Sequence, residues 1–190
     1  MSIILASKSP RRQELFRRLG LEYSVCTADI DERMDPNLPP EQEVARVSAL
    51  KAAKIAEECP DDLIVSADTI VVIDGLVLGK PKDEADAARM LRLLSGRTHE
   101  VMTGLCVRQG KTVRQTVSRT RVTFRPLTET EILSYIRTGE PMDKAGSYGV
   151  QGLGSVLVSH LDGDFFSVMG LPLCELCTML RQFGLPILGI

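Results

Sequence analysis

A chain of 190 residues, 44% apolar and 25% charged, can bury a substantial core and has the composition of an ordinary soluble globular protein. Its formal net charge of −2 argues against a nucleic-acid polymer or an anionic membrane as the main partner, because both select a basic excess. No run is long and apolar enough for a membrane span or a signal peptide, and five cysteines without framework spacing suit a reducing compartment, so a cytoplasmic location is expected.

Ile3-Ile4-Leu5-Ala6 reads as a buried strand. Ser9 is a good N-cap and Pro10 suits the first helical position, which predicts a helix from Pro10 to about Leu19, ended by Gly20. The junction, Ser7-Lys8-Ser9-Pro10-Arg11-Arg12, gathers two hydroxyls and three cations at a helix start, where unpaired N–H groups and the positive dipole end favour phosphate. Arginine forks match phosphate oxygens two at a time. Taken alone, the same residues also describe a capped helix with solvated arginines.

Glu22 to Cys26 alternates loosely like a strand, and residues 27–40 form an acidic, proline-rich loop containing Asp29-Ile30-Asp31-Glu32. A helix is predicted from Glu41 to Glu58, with Val44, Val47 and Ile55 on one face and Glu43, Arg46 and Glu57 turned to solvent. Lys51 falls inside the apolar arc, where its stem would lie along that face and its ammonium reach water, unless a site claims it. Leu63–Ala67 and Ile70–Ile73 read as two strands interrupted at Asp68-Thr69, and Asp74-Gly75 as a hairpin turn into Leu76–Leu78. Lys80 ends that hairpin. A helix over Asp83 to Leu94, a long hairpin of Thr98–Arg108 with Thr112–Phe124, and a capping box at Thr128–Glu131 follow. The glycine-rich stretch Lys144–Gly154 leads to a strand near Ser155–His160. Cys174 and Cys177 have half the spacing of a zinc site but lie in a core helix pattern with Leu173, Leu176 and Leu180. Strands and helices alternate early and hairpins dominate later, so the expected class is α/β with a mixed, strongly twisted sheet.

Asp68 is a carboxylate between apolar runs, costly unless paired or bound to a cation; an aspartate accepting backbone bonds at a strand bend explains it equally well. Glu32 alone reads as a solvated loop carboxylate. Together with Lys51, Lys80 and the Ser7–Arg12 cluster, these residues suit a polyphosphate with a divalent metal, because magnesium is typically held by one or two carboxylates plus substrate phosphates. The G-x-x-x-x-G-K-[ST] loop, the dinucleotide fingerprint and the G-x-S-x-G elbow are absent, and only His99 and His160 are available for histidine chemistry.

In Ser7–Arg12, Ser66-Ala67-Asp68-Thr69, Gly79-Lys80-Pro81, Ser95–Thr103, Asp143–Gly146 and Gly170–Pro172, taken in order over nearly the whole length, the chain resembles the Maf family of nucleoside triphosphate pyrophosphatases. The resemblance implies a single Maf-like domain over residues 1–190, with a fold like that of inosine triphosphate pyrophosphatases, two α/β lobes around a cleft. It implies cleavage of a nucleoside triphosphate to the monophosphate and pyrophosphate. It further implies Asp68 as the catalytic proton acceptor, Arg11, Thr69 and Gln151 as positions of substrate selection, and Glu32, Lys51 and Lys80 as further site positions. Gly146–Gly152 resembles the branch acting on dTTP and UTP, and a glutamine amide offers the donor and acceptor that a uracil or thymine edge requires.

The expected site therefore has Ser7, Ser9, Arg11, Arg12, Lys51 and Lys80 on the triphosphate and a divalent cation, magnesium or manganese, near Asp68 and Glu32. Whether Asp68 deprotonates the attacking water or holds the metal is left open by the sequence. The rival readings are a 7-methyl-GTP pyrophosphatase of the same family and a nucleotide-binding inhibitor of septum formation. The expected partner is a small-molecule nucleoside triphosphate, with no nucleic-acid polymer and no membrane. The apolar end Leu185–Ile190 either docks on the chain's own core, the simpler arrangement, or packs across a homodimer.

Overall fold

The computed structural model describes residues 2–33, 35 and 37–189. It is a mixed α/β protein whose seven strands form one sheet in the order β2 (Ser24–Cys26), β1 (Ile3–Ala6), β3 (Leu63–Ile73), β5 (Thr98–Gln109), β6 (Thr112–Phe124), β7 (Val158–Asp162), with β4 (Leu76–Leu78) also on β3. The chain divides into two compact units, Met1–Asp68 with Thr103–Ser118 and Gly170–Ile190, and Thr69–Met102 with Arg119–Met169. No helix of the described residues is long and apolar enough to cross a membrane.

In the first unit, β1 pairs in parallel with both β2 and β3, Leu5 opposite Val25 on one side and Val65 on the other. A strand flanked on both sides needs apolar residues throughout, and all four residues of β1 are buried. The helix α1 (Pro10–Arg17) starts at the expected cap, the Ser9 hydroxyl accepting from the Arg12 N–H, and ends three residues before Gly20, which takes φ 69°. The helix α2 (Pro40–Ala56) packs on β1, and Ile4, Ala6, Ala52, Ile55, Ile64 and Cys106 form a shared core cluster. A Cβ at Gly104 would lie 2.4 Å from the Val44 carbonyl oxygen, so only glycine lets β5 run this close to α2. The helix that carries Cys174 and Cys177, α6 (Leu173–Gln182), buries Leu176, Met179 and Leu180, while Leu173 and Cys177 are half-buried and Cys174 is exposed. Leu188 near the C-terminus is 90% exposed, and Ile190 lies outside the described residues.

One expectation fails at β3. The predicted pair of strands is a single strand of eleven residues that passes through Asp68 and Thr69 without a break, and those two are its only half-buried positions. Pairing with neighbours on both sides outweighs the low strand propensity of aspartate.

In the second unit, Asp74 and Gly75, both at positive φ, make the two-residue turn that pairs Val72 with Val77. Asp83 caps α3 (Glu84–Leu94), and Thr128 and Glu131 form the complete capping box of α4 (Glu129–Arg137). These two helices pack together and are tied by the Arg92–Glu129 ion pair. The strand expected near Ser155 begins at Val158, after a 3-10 turn over Leu153–Leu157. A short helix, α5 (Phe165–Met169), closes the unit.

Candidate active site

The helix α2 and the strand β3 position the central residues of the first unit. The buried Ser66 hydroxyl donates to the Ser48 carbonyl of α2 at 2.6 Å, which fixes the helix against the strand two residues before Asp68. One turn beyond Ser48, Lys51 then meets Asp68: its ammonium donates to Asp68 Oδ1 at 2.7 Å and stands 3.0 Å from Glu32 Oε1. Lys51 is only 9% exposed, and its ammonium is held by the two carboxylates instead of running free into solvent along the apolar face. Asp68 is paired, as a carboxylate in a strand interior has to be, and Glu32 is not simply a solvated loop residue.

Glu43 differs from its expected position. The helix turns it inward, not to solvent, and it is fully buried. Its Oε1 lies 2.5 Å and its Oε2 2.9 Å from Arg46 nitrogens, and Oε1 also accepts the Asp35 N–H at 3.1 Å. Arg46 in turn donates to the Arg33 carbonyl at 3.1 Å. The two side chains hold the loop at Arg33 and Asp35, immediately after Glu32. The Arg46 hydrogen bonds keep the Glu43 carboxyl below its ordinary value despite its burial, and the Asp35 N–H adds to this. A signal for Glu43 was present, since it stands four residues before Val47 and so shares the apolar face.

The junction between β1 and α1 is more ordered than its composition suggests. Ser7 is buried, and its hydroxyl oxygen accepts from the Ser9 N–H at 3.2 Å and from Arg12 Nη1 at 3.5 Å. The Ser9 hydroxyl accepts from the Arg12 N–H at 3.4 Å. Oxygens whose lone pairs are used in this way have an O–H proton to give to an anion. Arg12 Nε donates to the Gly170 carbonyl at 2.7 Å, which aims the guanidinium and is a contact that sequence spacing does not reveal. Burial pushes the Arg12 guanidinium below its usual value; the negative charge of Asp68 opposes this, Arg11 adds to it, and Glu32 opposes it more weakly. Arg12, Asp68 and Glu32 thus share one electrostatic neighbourhood. Arg11 is half-buried in the first turn of α1.

The remaining predicted positions belong to the second unit. Thr69 follows Asp68 along β3 and is half-buried. Lys80 is exposed just past β4, and the preceding Gly79 carbonyl accepts the Gly146 N–H at 3.0 Å, which joins it to the start of the glycine-rich segment. Gln151 is exposed within that segment.

The donor set suits a hard cation. Asp68 and Glu32 bring two carboxylates together at one ammonium, and both supply oxygen only. No cluster of three or more histidine, cysteine or acidic side chains able to hold a metal occurs among the described residues, so further oxygens would come from phosphate or water.

The chain is 48% identical to a dTTP/UTP pyrophosphatase of Moorella thermoacetica, over 98% of this chain and 97% of that one. It is 46% identical to a dTTP/UTP pyrophosphatase of Bacillus velezensis over 96% and 97%, and 44% identical to one of Pasteurella multocida over 95% and 94%. A dITP/XTP pyrophosphatase structure from Mycobacterium abscessus aligns with a TM-score of 0.48 at 14% identity, over 97% of this chain and 96% of that one. The Maf-like protein family matches residues 2–183, and with relatives of this identity along almost its entire length the chain belongs to the Maf family.

Proposed function

We propose that this protein hydrolyses dTTP and UTP between the α- and β-phosphates, releasing the nucleoside monophosphate and pyrophosphate. The observation that carries the reading is the Lys51 ammonium held between Asp68 and Glu32, in one electrostatic neighbourhood with Arg12. The names of relatives at 44% to 48% identity support the same substrates.

In this reading the start of α1, with the Ser7 and Ser9 hydroxyls and the Arg11 and Arg12 guanidiniums, binds phosphate oxygens. Lys51 and Lys80 neutralise charge that accumulates on the phosphates. Asp68 orients the attacking water and takes its proton on a carboxylate oxygen as that water attacks the α-phosphorus in line, and the bond from the α-phosphorus to the bridging oxygen breaks so that pyrophosphate leaves. Asp68 and Glu32 would hold a divalent cation, magnesium or manganese, which supplies charge neutralisation to the phosphates when bound. Thr69, Arg11 and Gln151 select the nucleotide, with the Gln151 amide matching the donor and acceptor of the pyrimidine edge. The substrate is a free nucleotide and the enzyme is cytoplasmic.

The test is pyrophosphate release from dTTP, UTP, CTP and 7-methyl-GTP with magnesium or manganese, run beside Asp68→Asn. Turnover of dTTP and UTP that disappears in a folded Asp68→Asn protein is expected. An active Asp68→Asn protein, or turnover of 7-methyl-GTP alone, would overturn the reading.

A further inference from the structure

The glycine-rich segment of the second unit is wrapped around one carboxylate. Glu140 Oε2 accepts the Leu153 N–H at 2.8 Å, and Oε1 accepts the Gly154 N–H at 3.0 Å and the Tyr135 hydroxyl proton at 2.8 Å. The Tyr135 oxygen accepts the Gly149 N–H at 3.1 Å, so Glu140 and Tyr135 together take three backbone donors of a six-residue stretch.

The spacing of the glycines follows from this wrapping. A Cβ at Gly152 would lie 2.5 Å from Glu140 Oε2, and a Cβ at Gly154 would lie 2.6 Å from the Tyr135 hydroxyl and from the Gly149 carbonyl oxygen. Neither position admits a side chain while the carboxylate keeps its bonds. Gly152 thus lies against the half-buried Glu140 carboxylate and Gly154 against the Tyr135 hydroxyl, while a Cβ at Gly149 would lie 2.8 Å from Lys144 Cε.

The other end of the segment is anchored separately. Tyr148 is buried, shares a 2.8 Å hydrogen bond with His99 Nε2 and packs edge-on against Phe124 at 4.7 Å. Val150 is buried as well, and Gln151 is exposed between the two anchors.

We propose that Glu140 is a positioning residue for nucleotide selection: its carboxylate, with Tyr135, folds Gly149–Gly154 into the turn that sets the direction of the Gln151 amide. The inference rests on the reading of Gln151 as the residue that meets the pyrimidine edge. A glutamine on a loose turn would satisfy uracil and cytosine edges alike by reorienting, whereas a fixed amide discriminates between them.

The experiment compares kcat/KM for UTP and CTP in Glu140→Gln, Tyr135→Phe, Gln151→Ala and the Glu140→Gln/Gln151→Ala double variant, with amide hydrogen exchange of residues 149–154. Glu140→Gln keeps the shape but puts an NH2 group where N–H donors converge, and Tyr135→Phe is a milder perturbation should the first fail to fold. The expected result is a UTP preference about tenfold lower in Glu140→Gln, faster exchange at Gly149, Leu153 and Gly154, and no further loss of preference on adding Glu140→Gln to Gln151→Ala. Equal losses on UTP and CTP, unchanged exchange, or additive losses would overturn the inference. If Gln151→Ala keeps the preference, the reading of Gln151 fails and the inference fails with it. If Gln151→Ala loses the preference while folded Glu140→Gln and Tyr135→Phe keep it, the inference alone fails.

Discussion

Replacing Lys51 with methionine keeps the stem and removes the ammonium from between Asp68 and Glu32. The Lys51 side chain is 11% exposed, Asp68 18% and Glu32 55%, so the two carboxylates respond differently. Glu32 rehydrates and loses little, because an ion pair open to solvent is worth about 1 kcal/mol or less. Asp68 is left half-buried without its direct partner, with the Arg12 guanidinium as the opposite charge in its neighbourhood. Breaking a fully buried pair costs about 3–5 kcal/mol, and the residual exposure of Asp68 lowers this to about 2–3 kcal/mol. For a chain of this size that is a fall in melting temperature of about 4–12 °C. Adding Asp68→Asn removes the stranded charge, so the double variant should be about 2 kcal/mol more stable than the sum of the single changes predicts. Thermal and urea unfolding of the four proteins measures this without reference to activity. Pyrophosphate release from dTTP, run in parallel, should fall by about a hundredfold or more in Lys51→Met. A Lys51→Met protein that melts with the parent, or additive losses in the double variant, would refute the account of this pair.

Two further outcomes test the supports of the fold. Arg46→Met leaves the buried Glu43 carboxylate without its strongest partner and should cost about 1–3 kcal/mol in urea unfolding. Glu43 titrates lower in the folded state than in the unfolded chain, where its ordinary value is 4.5; its contribution is therefore full above that value, is lost as pH falls through the lower folded one, and should vanish from the acid limb of the stability profile in Arg46→Met. His99 is the second test: burial pushes its imidazole down from 6.5 to about 4, so the unfolded chain binds its proton first as pH falls. Stability should be full above 6.5 and decline through that window, by up to about 3 kcal/mol in total. His99→Gln should flatten the decline between these pH values, and an unchanged slope would show that another group is responsible.

The features legible along the chain were those governed by near neighbours. Ser9 and Pro10 define the start of α1, Asp83 caps α3, Thr128 with Glu131 closes the capping box of α4, and Asp74-Gly75 makes the hairpin turn, because each depends on backbone groups within about four residues. The motifs that identify the family were legible for a similar reason, since they are read residue by residue. Asp68 also stood out, because an acidic residue between two apolar runs demands a partner.

The identity of that partner came from tertiary structure. Lys51 and Asp68 are seventeen residues apart, and only the seating of α2 on β3, fixed by the Ser66–Ser48 hydrogen bond, brings the ammonium to the carboxylate. The same packing decides that β3 runs unbroken through Asp68-Thr69, because strand continuity depends on hydrogen-bonding neighbours that are distant in sequence. It also decides that Glu43 is an internal residue bound to Arg46 and the Asp35 N–H, and that Arg12 is aimed by the Gly170 carbonyl. Local chemistry thus selected the elements and the candidate groups in this protein, whereas burial, which depends on what each side chain faces across the fold, decided which charges had to pair.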